Sequence, residues 1–348
     1  MAPATRDVLR EGQHVAGGRR LGAGEDQGNP LFRRQASGQD GPQGNHRSLH
    51  RELAHQGREA RTAQAPRRLA VPRPLGAGAA QRQGLPLAED GPRGQGPVAV
   101  VTGGSSGIGA AIARALARRR WQLVLLARGE ERLVEVASEV GAEHEVCDVG
   151  DRTEVERVAA AVRERHPAIR LLVNNAGIPG RGGFLDLGPE QIEELLRTNY
   201  LGSVWCLQAF LPALEAGAPA DLVNIASVAG TIAAGHSGPY SASKHAQLAF
   251  SRSVGVELAG SGIVVHTIIP GFIDTPGFPN RSRFRSRLLQ GLVAEPDLVA
   301  EQVVRAVERN RLERFVPRWY RPAAIVQAAL PELLARAARA SAVRSKRK

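Results

Sequence analysis

From Pro97 onward the chain alternates short apolar, β-branched runs with stretches suited to helices, and the first unit sets the pattern. PVAVVT (97–102) leads into the turn GGSSGIG and then into AAIARALARRR, which reads as strand, glycine turn, helix. Glycines at 103, 107 and 109 permit a tight turn and close backbone approach. The N-terminus of the following helix offers free N–H groups and the positive end of its dipole, which suits a pyrophosphate. The spacing is Gly-x-x-x-Gly-x-Gly instead of Gly-x-Gly-x-x-Gly, yet the strand-to-helix setting is the one the physics requires.

Further strands are expected over 122–127, 143–147, 169–173, 221–226 and 263–269. The helices between them are expected over 130–140, 151–165, 189 to about 215 with an interruption near Asn199 and Gly202, and 240–259. A helix over 296–309 and a short edge strand over 314–316 follow. Several of the strand runs are apolar throughout, as in strands buried on both faces. This alternation implies an α/β fold, a Rossmann-type doubly wound parallel sheet in a single domain, with ligands at the carboxyl ends of the strands. Gly103 to Gly109, Arg128, Asp148, Asn174 to Gly177, Ser227 and Pro270-Gly271 all fall at those ends and are expected to share one rim.

Residues 1–96 have a different character, rich in Arg, Gly, Gln, Ala and Pro with neither periodicity. Such a segment buries too little apolar surface to offset chain entropy, so it is read as a low-complexity, disordered extension before a catalytic domain over 97–320 and a basic tail over 321–348. The net charge of +12 is divided evenly: residues 1–97 hold 15 Arg, no Lys and 9 acidic residues, hence +6, which leaves +6 for the rest. With Phe32 the one aromatic in that segment, no nucleic-acid surface is expected. The two cysteines, Cys147 and Cys206, have neither metal nor disulfide spacing and favour a reducing, cytoplasmic location; no metal is expected. No run reaches the ~18 apolar residues of a spanning helix.

The stretch from Ser227 to Lys244, SVAGTIAAGHSGPYSASK, carries the chemistry. Tyr240 and Lys244 are four residues apart, so on a helix they lie one turn apart on one face. A fixed ammonium beside a phenol is the simplest means of bringing a group that titrates near ~10 toward neutrality. Lys244 stands out because the chain uses arginine for nearly every other cation; Lys346 and Lys348 are the only other lysines. Ser227, just beyond a buried strand, can bring its hydroxyl to the same place.

Residues beyond the second strand bear on cofactor choice. A carboxylate there would hold free ribose hydroxyls, whereas Ala127 is followed by Arg128, which can accept a 2′-phosphate. NADP(H) is therefore favoured over NAD(H). Asp148, at the end of the third strand, is placed to accept from an adenine amino group.

Taken together, Thr102-Gly-Gly-Ser-Ser-Gly-Ile-Gly109, Asp148, Asn174-Asn-Ala-Gly177, Asn199, Ser227, Tyr240-Ser-Ala-Ser-Lys244 and Pro270-Gly271 with Thr275 resemble the short-chain dehydrogenase/reductase family over residues 98 to about 320. The resemblance implies an NADP(H)-dependent oxidoreductase that moves a hydride between nicotinamide and a carbonyl or secondary alcohol. It implies Tyr240 as general acid/base, Ser227 as the group holding the substrate oxygen, Lys244 as the residue that lowers the tyrosine pKa and binds the ribose, and Asn199 in a proton relay. It further implies that Gly103, Ser105, Ser106, Gly107, Ile108, Gly109, Arg128, Asp148, Val149, Asn175, Pro270, Gly271, Ile273 and Thr275 hold the cofactor together with Tyr240 and Lys244. A homodimer or homotetramer is implied by the same analogy. The rival reading is a dinucleotide-binding regulator or scaffold that keeps the fold with little turnover.

On the substrate side, the Pro- and Gly-rich excursion after Gly271 resembles the family's lid, with Phe272, Phe278 and Phe284 as an apolar wall for a small apolar carbonyl or alcohol. Arg281, Arg283, Arg285 and Arg287 alternate along it, and His236 lies on the loop before Tyr240. Substrate identity and reaction direction are left open. The tail beyond Pro317 pairs Trp319 and Tyr320 with an Ala/Leu-rich basic segment, read as packing on the pocket or an oligomer interface, with peripheral membrane contact as the alternative.

Overall fold

In the computed structural model, residues 96–233, 237–276 and 293–345 are described, and all of them belong to one compact unit. The expectations for residues 1–95, for His236, and for Phe278, Phe284 and the arginines at 281–287 lie outside the described residues.

Seven strands form one parallel sheet: β1 Val98–Thr102, β2 Gln122–Ala127, β3 Glu143–Val146, β4 Leu171–Asn174, β5 Ala220–Ile225, β6 Ile263–Pro270 and β7 Glu313–Val316. Their order is β3-β2-β1-β4-β5-β6-β7, so the direction of winding reverses between β1 and β4. That reversal opens a crevice at the strand ends, where the glycine turn and Asn174-Asn175 face each other.

The helices are α1 Gly107–Ala117, α2 Glu130–Val140, α3 Arg152–Arg165, α4 Pro189–Leu196, α5 Gly202–Ala216, α6 Gly238–Glu257, α7 Pro296–Glu308, α8 Tyr320–Ala329 and α9 Pro331–Ser345. Successive residues of a strand point to opposite faces, and the two cores follow this rule. Ala99, Val101 and Leu125 join α1 and α7 on one face, while Val100, Val124, Leu126 and Leu172 meet Val155, Val158, Leu207 and Phe210 of α3 and α5 on the other. Edge strand β3 is largely exposed and ringed by charge: Arg165 pairs with Glu143 at 3.0 Å and Glu145 at 2.7 Å, which disfavours pairing with another edge.

Several boundaries move. The helix bearing Tyr240 starts at Gly238, because Pro239 in its first turn is already set in a helical φ and needs no N–H there. The strand before Ser227 ends at Ile225, and Ser227 caps a short 3₁₀ turn, Val228–Gly230. The fourth strand begins at Leu171, two residues later than expected. The expected interruption of the long helix is a π-helical turn, Arg197–Leu201, centred on Asn199. The tail forms two helices broken at Pro331.

Candidate active site

The site begins with Thr102, the last residue of β1. Its hydroxyl donates to Val173 O at 3.2 Å and accepts from the N–H groups of Asn175 and Ala176, both at 3.0 Å, which ties the ends of β1 and β4 together across the crevice. Asn175 Nδ2 returns a bond to Thr102 O at 2.9 Å. Gly103 (φ +67°) and Gly107 (φ +52°) take left-handed backbone that a side chain would strain. A Cβ on Gly109 would run into the Gly103 carbonyl oxygen. No side chain caps α1 at Ser106 and no acidic residue stands in its first turn, so its N–H groups and positive dipole end remain available to an anion. Such a cradle fits the pyrophosphate of a dinucleotide.

A cavity of ≈ 330 Å³ runs from this turn to the catalytic candidates. Its walls include Gly103, Ser105, Ser106, Gly107 and Ile108 at one end, and Arg128, Asp148, Val149 and Asn175 along the side. Ser227, Tyr240 and Lys244 stand farther along with Pro270, Gly271 and Ile273, while Thr275 lies against Gly107, where a Cβ would come within 3.0 Å of its side chain. Of the residues expected at the site, Gly109 and Asn199 do not line it. Gly109 is buried beneath the turn. Asn199 is also buried: Ile178 N–H donates to its Oδ1 at 2.8 Å, and its Nδ2 donates to Ile178 O at 3.1 Å and Ser243 Oγ at 3.0 Å. Its side chain thus fixes the loop after β4, leaving both amide N–H groups committed.

Arg128 reaches Asp148 at 3.6 Å and Glu194 at 3.7 Å, with all three side chains partly exposed. Exposed pairs of this length hold loosely and yield readily to a stronger anion. Asp148 is not free to face a ligand with both oxygens, since Oδ1 accepts from Gly150 N–H at 2.8 Å.

Tyr240 hydrogen-bonds to the Ser227 side chain, and Ser227 Oγ also accepts from Ala229 N–H at 3.1 Å. Lys244 Nζ donates to Gln247 Oε1 at 2.7 Å and to Ile225 O at 3.1 Å. Burial pushes Tyr240 up to about 12 against an opposing contribution from the Ser227 bond, and burial brings Lys244 down to about 7. The hydrogen bonds of the ammonium go to Gln247 and to the end of β5.

Sequence reasoning missed Gln247 and Glu194, and it named Tyr320 only as part of a tail expected to pack on the pocket or an oligomer interface. Gln247 sits three residues after Lys244, a spacing that puts the two within reach on a helix. Tyr320 packs its ring on Gly271, and its hydroxyl accepts from Phe272 N–H at 3.3 Å, closing the pocket's far rim.

The model of the family described as short chain dehydrogenase matches residues 97–285. Over 187 residues the chain is 42% identical to a putative ketoacyl reductase of Streptomyces coelicolor, covering 51% of this chain and 71% of that one. Among solved structures, a variant of actinorhodin polyketide ketoreductase with NADPH aligns with a TM-score of 0.56 at 35% identity, covering 61% of this chain and 90% of that one. A short-chain dehydrogenase/reductase from Burkholderia phymatum in complex with NAD aligns with a TM-score of 0.62 at 25% identity, covering 70% and 97% respectively.

Proposed function

Because the chain belongs to the short-chain dehydrogenase family, a group of nicotinamide-dependent oxidoreductases, we propose that it reduces a ketone on an apolar, acyl-type compound with NADPH. The observation that carries this reading is the Tyr240–Ser227 hydrogen bond at the wall of a cavity whose other end is the glycine turn. One end suits a dinucleotide's phosphates and the other suits a reacting oxygen.

A bound nicotinamide cofactor supplies the hydride. The residues of the chain then have to hold the carbonyl and deliver a proton. Tyr240 is the acid: with burial holding its pKa near 12, the phenol keeps its proton at neutral pH, the form that reduction consumes. Ser227 holds the carbonyl oxygen in line with that phenol and stabilises the charge that develops on it. Lys244 brings a cation to the same wall near neutrality, where about half of it is protonated. Cys147, Val149 and Ile178 add apolar side chains to the wall of that cavity.

NADPH is favoured because Arg128 is held only by long, exposed ion pairs and can turn to a 2′-phosphate. An apolar substrate is favoured by Phe184, Leu185 and Phe272, which are exposed. Phe184 lies against Gly238, two residues from Tyr240. The ketoacyl reductases among the relatives point the same way. Incubation with NADPH and short 3-oxoacyl thioesters, followed by mass spectrometry, tests this: the alcohol, two hydrogens heavier than the ketone, is the expected product.

A further inference from the structure

The helices α8 and α9 leave apolar side chains in water that nothing among the described residues covers. Trp319, Ile325, Val326, Leu330 and Leu333 are between 42% and 60% exposed, within fifteen residues of chain. Isolated exposed apolar residues are ordinary, but a run of five marks an interaction surface. The chain around them is strongly basic: residues 318–348 hold eight Arg or Lys and a single acidic residue, Glu332. Arg321, Arg336 and Arg339 are exposed beside the apolar residues, and Glu332 is paired with Arg336 at 3.5 Å. The basic sequence continues as Lys346-Arg347-Lys348 beyond the described residues.

We propose that this C-terminal helix pair is a docking face for an anionic lipid bilayer. Apolar side chains flanked by arginines, with a tryptophan at the near end, match the layered chemistry of a headgroup boundary. A second copy of the chain is a poor occupant, because it would bring two surfaces of the same sign together. A nucleic acid would satisfy the arginines and leave the leucines and Ile325 in water. The helices are not long and apolar enough to cross a membrane, so they lie on its surface.

The face is joined to the cavity rim. Trp319 stacks on Tyr320 with ring centroids 3.7 Å apart, Phe272 meets Tyr320 edge-on at 6.4 Å, and Tyr320 packs on Gly271. Docking through α8 therefore puts the bilayer next to Phe272, on the side from which an apolar substrate would enter.

The test is flotation of the full chain with vesicles of phosphatidylcholine alone and of phosphatidylcholine with phosphatidylglycerol. The chain is expected to float with the anionic vesicles and remain behind with the neutral ones. With each arginine near the surface contributing ~1 kcal/mol, Arg336→Gln with Arg339→Gln weakens partitioning by about 30-fold. Leu330→Ser with Leu333→Ser, which leaves the charge untouched, weakens it by at least about tenfold. Both pairs lie away from the cavity and leave turnover of a soluble substrate unchanged. Equal recovery with both vesicle types overturns the proposal, as does absence of flotation. Wild-type recovery of the leucine variant also overturns it, since binding would then be adsorption through charge alone, as the arginine-rich residues 1–97 could provide. A leucine variant that loses oligomeric mass while floating normally assigns the face to a second copy and overturns it too.

Discussion

Lys244 Nζ donates to Gln247 Oε1 at 2.7 Å, and Gln247 Nε2 donates to Ser203 Oγ at 2.9 Å, so the amide is held with its oxygen toward the ammonium. Both residues are buried, and a neutral amide oxygen is a weaker partner for a cation than a carboxylate. Gln247 is thereby a fixed acceptor for Lys244 Nζ, while burial brings the lysine down to about 7.

Reduction should weaken as pH rises through about 7, where Lys244 loses its charge. Gln247→Glu places an anion against the ammonium and moves that break to higher pH; Gln247→Leu removes the acceptor and moves it lower. The pH dependence of kcat/KM reads both shifts, and an immobile break in both variants would remove Lys244 as the titrating group.

The same lysine makes stability depend on pH. Its folded pKa of about 7 lies below the ordinary 10.5, so between these values the unfolded chain binds a proton that the folded chain has shed. Stability at this residue therefore rises with pH across that window. Thermal melts of the wild type and Lys244→Met should show their stability difference shifting in favour of the wild type from pH 7 to 10. A constant difference would mean that burial does not depress this lysine.

Tyr240→Phe removes the proton donor and little else from the dinucleotide end of the cavity. Turnover should fall by about 10² to 10⁴-fold while cofactor affinity changes little, measured by fluorescence titration beside the steady-state assay. Comparable losses in both would make Tyr240 a packing residue.

Arg128→Ala should reduce the preference for NADPH over NADH by about 10 to 100-fold, the loss expected for one or two charge-assisted bonds. Glu194→Gln should strengthen NADPH binding, because it removes a carboxylate that holds Arg128 at 3.7 Å. The ratio of kcat/KM for the two cofactors is the readout.

Gly109→Ala should abolish dinucleotide binding or folding of the turn, since its methyl group meets the Gly103 carbonyl oxygen and Asn175 Nδ2. Calorimetric titration with NADPH, beside circular dichroism to check the fold, separates the two.

Much of the fold was legible because each strand carries its own apolar run and each turn its own glycine or polar punctuation. Glu130–Val140 follows from local sequence alone, as does the interruption at Asn199, which the structure resolves as a π turn. The glycine turn, Ser227, Tyr240 and Lys244 were legible for the same reason: a motif with a fixed spacing brings its residues together by local geometry. Glu194 and the seat of Tyr320 on Gly271 were not, because those contacts span 66 and 49 residues of chain that no local pattern encodes, whereas Gln247, three residues from Lys244 on the same helix, was within reach of the spacing argument and was overlooked. The hydrogen-bond partners of Lys244 were only partly legible. Spacing put it on one helix with Tyr240 and Gln247, but its bond to the Ile225 carbonyl at the end of β5 is a matter of tertiary packing.

The most direct test of the account is oxidation of NADPH by the full chain in the presence of a 3-oxoacyl thioester, read at the nicotinamide absorbance, with NADH and the Tyr240→Phe variant in parallel. Loss of NADPH that depends on the ketone, outpaces NADH and nearly vanishes in the variant is the predicted result. Undiminished NADPH oxidation in Tyr240→Phe would contradict the assigned proton donor, and tight NADPH binding with no ketone or alcohol turned over would make the chain a dinucleotide-binding regulator instead.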